Sequence, residues 1–395
     1  MAEPRREFNN NPDGILWRLS FPQAIITNDG WGLAPPRRGR EPQKEQTMAH
    51  NLARVGGEVA FFSAGREPVW HGLGQRLPGL ATAAEALEAA HLNWKVELAP
   101  LSYEAIDASG MRQVAIPKKR AVLGPAKQDG SRPVFGIVGD KWSPLQNDEL
   151  FSFAEAVRGE GAGRAVFETA GALGNGSRVF CLLSMEGVIE PVPGDAVKKY
   201  LLLALGHDGL MGMYGTITPV RVVCQNTLNM ALGGLQAAKE RGGRIQGGVW
   251  FNHFGDLKGR VEEARNLLGL AAQAFEVFEK RAALLAAKVL DVADEDAFLR
   301  KVLPINNPED EQKILAQRAE VRRLAHEGMG NDHAGVRGTA WGMLNGFTEW
   351  TDYHRSGFGP KADTSRRVES AWLGDGSRMK ARAFDELVVA SMVTT

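Results

Sequence analysis

One apolar stripe limits what this chain can fold into more than any other feature of its sequence. Leu257, Val261, Ala264, Leu268, Ala271, Phe275, Phe278, Ala282, Leu285 and Val289 recur at alternating steps of four and three residues. A stripe of that period is a heptad seam on a helix, and about 30 residues of helix span roughly 50 Å. Gly269 weakens such a helix by about 1 kcal/mol relative to Ala without ending it. A seam this long needs a partner, and two arrangements supply one. Either 257–289 associates with a second copy of the chain, or residues 309–327 fold back on it as a helical hairpin. The second segment carries Ile314, Leu315, Val321 and Leu324 and follows Pro304 and Pro308. Short-looped helix pairs within one chain are the commoner use of such stripes.

Upstream of the stripe the periodicity changes to that of strands. Residues 179–183 (Val-Phe-Cys-Leu-Leu) and 200–205 (Tyr-Leu-Leu-Leu-Ala-Leu) are continuous apolar runs, the pattern of fully buried strands. Cys181 inside the first reads as a packed small hydrophobe, not a nucleophile. Residues 94–98 alternate apolar and charged, as a half-buried strand does, and 114–116, 121–123 and 134–138 follow as short strands. Pro117, Gly124-Pro125 and Asp129-Gly130 supply turn chemistry between them. Gly171–Gly176 precedes a strand and lacks the Lys-Ser/Thr of a phosphate loop, so it reads as a hairpin turn. Thr82-Ala83-Ala84-Glu85 is a capping box that opens a short helix. A second helix starts at Asn147, with Leu150, Phe153, Ala154 and Val157 on one face. Residues 212–218 form a further strand, and the chain passes from strand into helix near Gln225. These elements predict an α+β protein: an antiparallel-sheet domain, followed by long helices packed on or beside it.

The predicted organisation has four parts. Residues 1–47 combine charge, an Asn run and Pro-Pro-Arg-Arg without sustained apolar period, which predicts a disordered tail. Either Met48 is the true start, or the tail is a flexible arm. Residues 48–255 form the sheet domain, 256–357 a helical region completing the core, and 358–395 a basic carboxyl-terminal extension. No run of about 18 uninterrupted apolar residues predicts a membrane span. Two cysteines, Cys181 and Cys224, are too few for a disulfide framework or a cysteine zinc site, which suits a reduced, cytoplasmic protein.

Arg221 lies between valines in 220–223, where an unpaired guanidinium is costly, so it must reach a carboxylate, a carbonyl or solvent. On 339–354, Trp341, Asn345, Thr348, Glu349 and Asp352 share one broad face by helical spacing. Three readings of that face stay open. Glu349 or Asp352 pairs with Arg221 in a buried network; the face is solvated; or Asn345, Glu349, Asp352 and Arg221 are catalytic or hold a hard cation such as Mg²⁺, most of whose ligands would be water.

Several of these residues carry a resemblance. His207-Asp208-Gly209 followed by Arg221-Val222-Val223-Cys224-Gln225-Asn226-Thr227-Leu228 resembles the signature of the phage/plasmid-like family of unknown function, DUF 932. Trp341, Asn345, Thr348 and Glu349 resemble its carboxyl end, and the likeness extends over about 48–357. The resemblance implies a mobile-element protein found near replication or recombination functions, with no established activity, cofactor or metal.

Formal net charge is zero, with 47 Lys+Arg against 47 Asp+Glu. Nucleic-acid binding therefore requires cations gathered on one side. Two stretches are candidates. Residues 112–132 hold Lys118, Lys119 and Arg120 among six basic residues against Asp129 alone. Around Trp250, Arg241 and Arg244 place cations beside rings, as single-stranded DNA binding requires. The tail from 361 to 382 repeats that pairing with Trp372. Each has a structural alternative: lysines protecting a sheet edge, or aromatic residues tucked into the core. No His-Glu-x-x-His, Cys-x-x-Cys or Gly-x-Ser-x-Gly is present. The residues thus favour an accessory factor binding single-stranded DNA over an enzyme or an oligomeric scaffold.

Overall fold

The computed structural model describes residues 17–18, 54–55, 58–59, 61–63, 75–76, 81–107, 110–127, 129–160, 165–173, 175–221, 248–251, 257–355, 370–372 and 374–393. They divide into two compact units. The first comprises Met1–Thr47 and Val96–Pro144, and the second Met48–Lys95 and Leu145–Thr395. This division differs from the four-part organisation read from the sequence.

Strands in chain order are β1 (Trp17–Arg18), β2 (Arg54–Val55), β3 (Glu58–Val59), β4 (Phe61–Ser63), β5 (Gln75–Arg76), β6 (Glu97–Asp107), β7 (Gly110–Leu123) and β8 (Val134–Gly139). They continue with β9 (Ala165–Leu173), β10 (Arg178–Ile189), β11 (Val197–Gly206), β12 (Met213–Ile217), β13 (Val220–Arg221) and β14 (Gly248–Phe251). The helices are α1 (Ala83–Ala89), α2 (Asn147–Glu160), α3 (Leu257–Ala287), α4 (Val292–Val302), α5 (Glu311–Glu327), α6 (Ala340–Glu349) and α7 (Asp375–Val393). A π-helical turn, Trp350–His354, continues α6. The architecture is α+β, with antiparallel strands first and helices after.

The first unit is a sheet in the order β1-β6-β7-β8. Trp17–Arg18, inside the segment expected to be a tail, pairs with Ala105 and Glu104 of β6. β6 and β7 form one long hairpin where two short strands around Pro117 were expected. Pro117 is tolerated because the ladder is interrupted there: only Leu101 of β6 faces residues 116–119 of β7. In that bulge Lys118 takes φ +57°, a left-handed conformation that a bulge imposes as it re-aims a side chain.

The second unit is built on an antiparallel meander, β9-β10-β11-β12, in the order β14-β12-β11-β10-β9-β4-β5. The β4–β5 pair alone in this sheet is parallel among the described strands. The two apolar runs lie side by side, with Cys181 opposite Leu203 and Leu182 opposite Leu202. Both faces are covered, as a continuous apolar run requires. On one face Phe151 of α2 stacks on Phe167 of β9. On that face too, Gly215 leaves room for Leu203 and Leu267 of α3, each 3.1 Å from where a Cβ would sit. On the other face Trp372 meets Phe180 edge-on at 5.0 Å. Cys181 is buried between strands, and burial pushes its thiol pKa up, as expected of a packed hydrophobe.

The helix read from the stripe exists, and its seam is occupied within the chain. Ala264, Ala271, Phe275, Phe278, Ala282 and Leu285 are buried as α3 packs against α2, α6, α7 and β12. The expected self-association face is thereby corrected, and so is the expected hairpin partner, because 309–327 packs mainly on α6. Leu267 is buried where Leu268 was expected, the drift of a 3.6-residue turn against a 3.5-residue seam. Val289 is exposed because the helix has ended at Ala287 and Leu290 turns inward instead.

Helix α6 crosses α5 at Gly346, where a Cβ would lie 2.3 Å from the backbone nitrogen of Ala325. Gly346→Ala gains about 1 kcal/mol of helix propensity but forces two backbones apart. We expect a net loss of about 1–3 kcal/mol, the usual cost of overpacking. A lowered denaturation midpoint at unchanged slope checks it.

Candidate functional site

Arg221 is fully buried at the end of β13, where it lies opposite Val197 of β11. The turn that precedes β11 brings Asp195 beside it. Arg221 Nε donates to Asp195 Oδ1 at 2.6 Å, and Trp341 Nε1 of α6 donates to Asp195 Oδ2 at 2.7 Å. Nη1 donates to Asn331 Oδ1 at 2.8 Å and to the Met329 carbonyl at 3.3 Å, while Nη2 donates to the Gly330 carbonyl at 2.8 Å. Asn331 in turn donates to the carbonyls of Leu324 and Gly342. The guanidinium thus ties the sheet edge to the turn between α5 and α6.

The network reading of Arg221 is right in kind and corrected in partner. Its carboxylate at ion-pair distance is Asp195, where Glu349 or Asp352 was expected. Asp352 is held by Lys380 of α7, whose Nζ donates to both carboxylate oxygens at 2.8 and 3.1 Å. Burial pulls the Lys380 ammonium pKa down, against the pull of Asp352. Asn345 donates to the Trp341 carbonyl at 2.8 Å. Thr348 is buried on the same helix. Arg221 with Asp195 and Asp352 with Lys380 thus form two distinct buried ion pairs. Among the described residues no group of three His, Cys, Asp or Glu is placed to hold a metal.

Glu349 has its own surroundings. Its Oε1 lies 3.7 Å from His354 Nε2, and His354 Nδ1 lies 3.8 Å from Glu320 Oε1. Burial pushes the Glu349 carboxyl up, opposed by His354, the Met329 amide, Arg323 and Arg221. Gly328 admits this carboxylate: a Cβ there would meet Glu349 Oε2 at 2.5 Å. The Gly328–Gly330 turn is therefore gripped from two sides, by Arg221 through its carbonyls and by Glu349 through its Met329 amide.

His207, Asp208 and Gly209 perform work of the fold. Asn147, the first residue of α2, donates through Nδ2 to the carbonyls of Leu92 and Trp94. Its Oδ1 is thus the acceptor for His207 Nε2 at 2.8 Å, which places the imidazole proton on Nε2. Burial lowers the His207 pKa to about 4, with Asp208 opposing. Asp208 Oδ1 accepts from the Leu210 amide and Oδ2 faces Arg178, while Gly209 takes φ +76°. Asn226, Thr227, Arg241, Arg244 and Cys224 lie outside the described residues.

Lys118, Lys119 and Arg120 are exposed on β7. Trp250 lies on β14, paired with Tyr214. Trp372 is in the core, Lys380 is buried, Arg378 pairs with Asp375, and Arg382 donates to the Lys301 carbonyl. Sequence reasoning missed Asp195, Asn331, Asn147 and Lys380. The first two sit in Pro-Gly and Gly-rich turns that read as solvent-facing, and no spacing linked them to Arg221.

An antiparallel meander backed by helices, with a buried arginine clasping the α5–α6 turn, is the class this unit defines. The chain belongs to the DUF932 family, described as a domain of unknown function, whose model matches residues 134–382. The match runs from β8 into α7, beginning later and ending later than the resemblance at 48–357. It leaves the β6–β7 hairpin outside. No curated protein and no solved structure matches the chain.

Two predictions follow from burial. Arg221→Ala should cost about 3–5 kcal/mol, because Asp195 is left as an uncompensated buried charge. Replacing both members by apolar residues, Arg221→Met with Asp195→Leu, should cost less than either single change; denaturant unfolding of the three variants checks the order. His207 contributes stability that is complete at and above pH 6.5. As pH falls, the unfolded state takes up a proton that the folded state refuses until about pH 4. Stability is lost across that window, by about 3 kcal/mol in all. In His207→Gln this segment of the pH profile should disappear, which unfolding free energies at pH 7 and in mild acid will show.

Proposed function

We propose that the protein binds nucleic acid through phosphate contacts made by β7, as an accessory factor of a mobile element. One observation carries the reading. Lys118, Lys119 and Arg120 are consecutive and exposed, and no carboxylate among the described residues pairs with them. Several cations elsewhere are engaged: Arg132 with Glu97, Arg178 with Asp208, Arg322 with Glu295, Arg323 with Glu320. Three adjacent charges left without an internal partner keep their whole attraction for an external polyanion. Edge protection explains them less well, because Arg120 is not on an edge: it pairs with Pro100 on one side and Val138 on the other.

The support for single strands is narrower than the sequence implied. Trp372 is in the core, and Arg241 and Arg244 lie outside the described residues, so the reading rests on the cations of β7.

Fluorescence anisotropy of a labelled oligonucleotide across a salt series tests the reading. Binding should weaken steeply with salt, and K118A/K119A/R120A should flatten the log–log slope. The flattening is about 0.9 per lost phosphate contact on a duplex and about 0.7 on a single strand. A parent protein that binds neither form at low salt sinks the proposal.

A further inference from the structure

The turn that leaves β8 carries an aromatic residue beside the cations of β7. Gly139 lies opposite Lys119 in the ladder, and Val138 opposite Arg120. The Asp140 amide donates to the Lys118 carbonyl at 3.2 Å, and the Trp142 amide donates to the Gly139 carbonyl at 3.2 Å. The second bond closes a four-residue turn, whose ends lie within about 7 Å of each other. Directly opposite residues are about 5 Å apart, so the backbone of Trp142 lies within about 12 Å of that of Lys119. Trp94, Trp341, Trp350 and Trp372 are buried, whereas Trp142 is half-buried. Among the described residues its ring meets no other ring and its indole N–H has no hydrogen-bond partner. Lys141 beside it is exposed and has no carboxylate partner among them either. The turn's one carboxylate, Asp140, is outnumbered by Lys118, Lys119, Arg120 and Lys141.

We propose that Trp142 is a stacking platform for a base of single-stranded nucleic acid, whose backbone the cations of β7 hold. The proposal rests on the phosphate-contact reading and names both the strand form and the base-binding residue. Lysine and arginine take the phosphates of any strand, duplex or single. A base can lie on an indole only if its own face is free, and in a duplex both faces are covered by the neighbouring pairs. Stacking is therefore what turns a phosphate-binding surface toward single strands, and it tolerates any sequence because every base has a π-face. The turn is suited to the task. The Asp140 amide ties it to the bulged strand at Lys118, and the Gly139 carbonyl ties Trp142 to the end of β8. The residue thus keeps its place beside the cations before a strand arrives, which lowers the ordering cost of binding. The cations select the occupant: an apolar protein partner at Trp142 would bring nothing to four unpaired positive charges.

Anisotropy of three labelled probes, each titrated with the full chain at low salt, separates stacking from phosphate contact. The probes are an oligothymidylate, an abasic strand of the same length and a random-sequence duplex. The parent should bind the oligothymidylate about tenfold more tightly than the abasic strand, as one stacked base provides. Trp142→Ala should lose that margin while keeping the abasic affinity and the salt slope; Trp142→Phe, which keeps a ring, should retain most of it. K118A/K119A/R120A should weaken binding to all three probes and flatten the slope. The unfolding midpoint of each variant is measured alongside, and the abasic comparison tests the parent with no substitution at all. Equal affinity of the parent for the two strands, or W142A binding oligothymidylate as the parent does, overturns the stacking platform and leaves phosphate binding standing. Tighter binding of the duplex overturns the single-strand assignment. Absence of binding to all three probes overturns both readings.

Discussion

A guanidinium taken out of water must be surrounded by acceptors, and Arg221 draws them from two separated stretches of chain. Asp195 precedes β11, the Met329 and Gly330 carbonyls and Asn331 lie between α5 and α6, and Trp341 of α6 completes the carboxylate's coordination. Without these partners the buried charge would oppose folding by several kcal/mol. With them it fixes where the helical layer meets the sheet. The Gly328 turn, the start of α6 and the edge strand β13 all take their positions from this centre, and Glu349 presses on the same turn from its outer side.

In the second unit several cations find carboxylates: Lys380 on Asp352, Arg322 on Glu295, Arg323 on Glu320. These groups spend their attraction within the fold. On β7 of the first unit three adjacent cations have no such partner, and the bulge at Pro117 and Lys118 presents them. A chain with zero formal net charge can still carry a local positive field, because neutralisation is a matter of position and not of totals.

Much of the fold was legible in the sequence. The apolar runs at 179–183 and 200–205 read as buried strands because nothing polar interrupts them, and they pair with each other. The Thr82 box forms as written, its hydroxyl accepting from the Glu85 amide and the Glu85 carboxylate from the Thr82 amide. The α3 stripe read as a helix with a buried seam. What covers that seam was not legible, since α2, α6, α7 and β12 offer the same kind of apolar surface as 309–327 did. Trp372 beside lysines and arginines read as a surface pairing, yet its ring fills the open face of the meander against Phe180.

The sequence by itself determined the local elements, because strand and helix periods, caps and turn residues act over a few neighbours. It also required Arg221 to reach a carboxylate, a carbonyl or solvent, since an unpaired buried guanidinium is costly. Only the tertiary structure decided which partners. Asp195 and Asn331 lie 26 and 110 residues from Arg221 in the chain. Opposite charges attract without regard to sequence distance, so the choice among Asp195, Glu349 and Asp352 was made by how the sheet edge and helices pack.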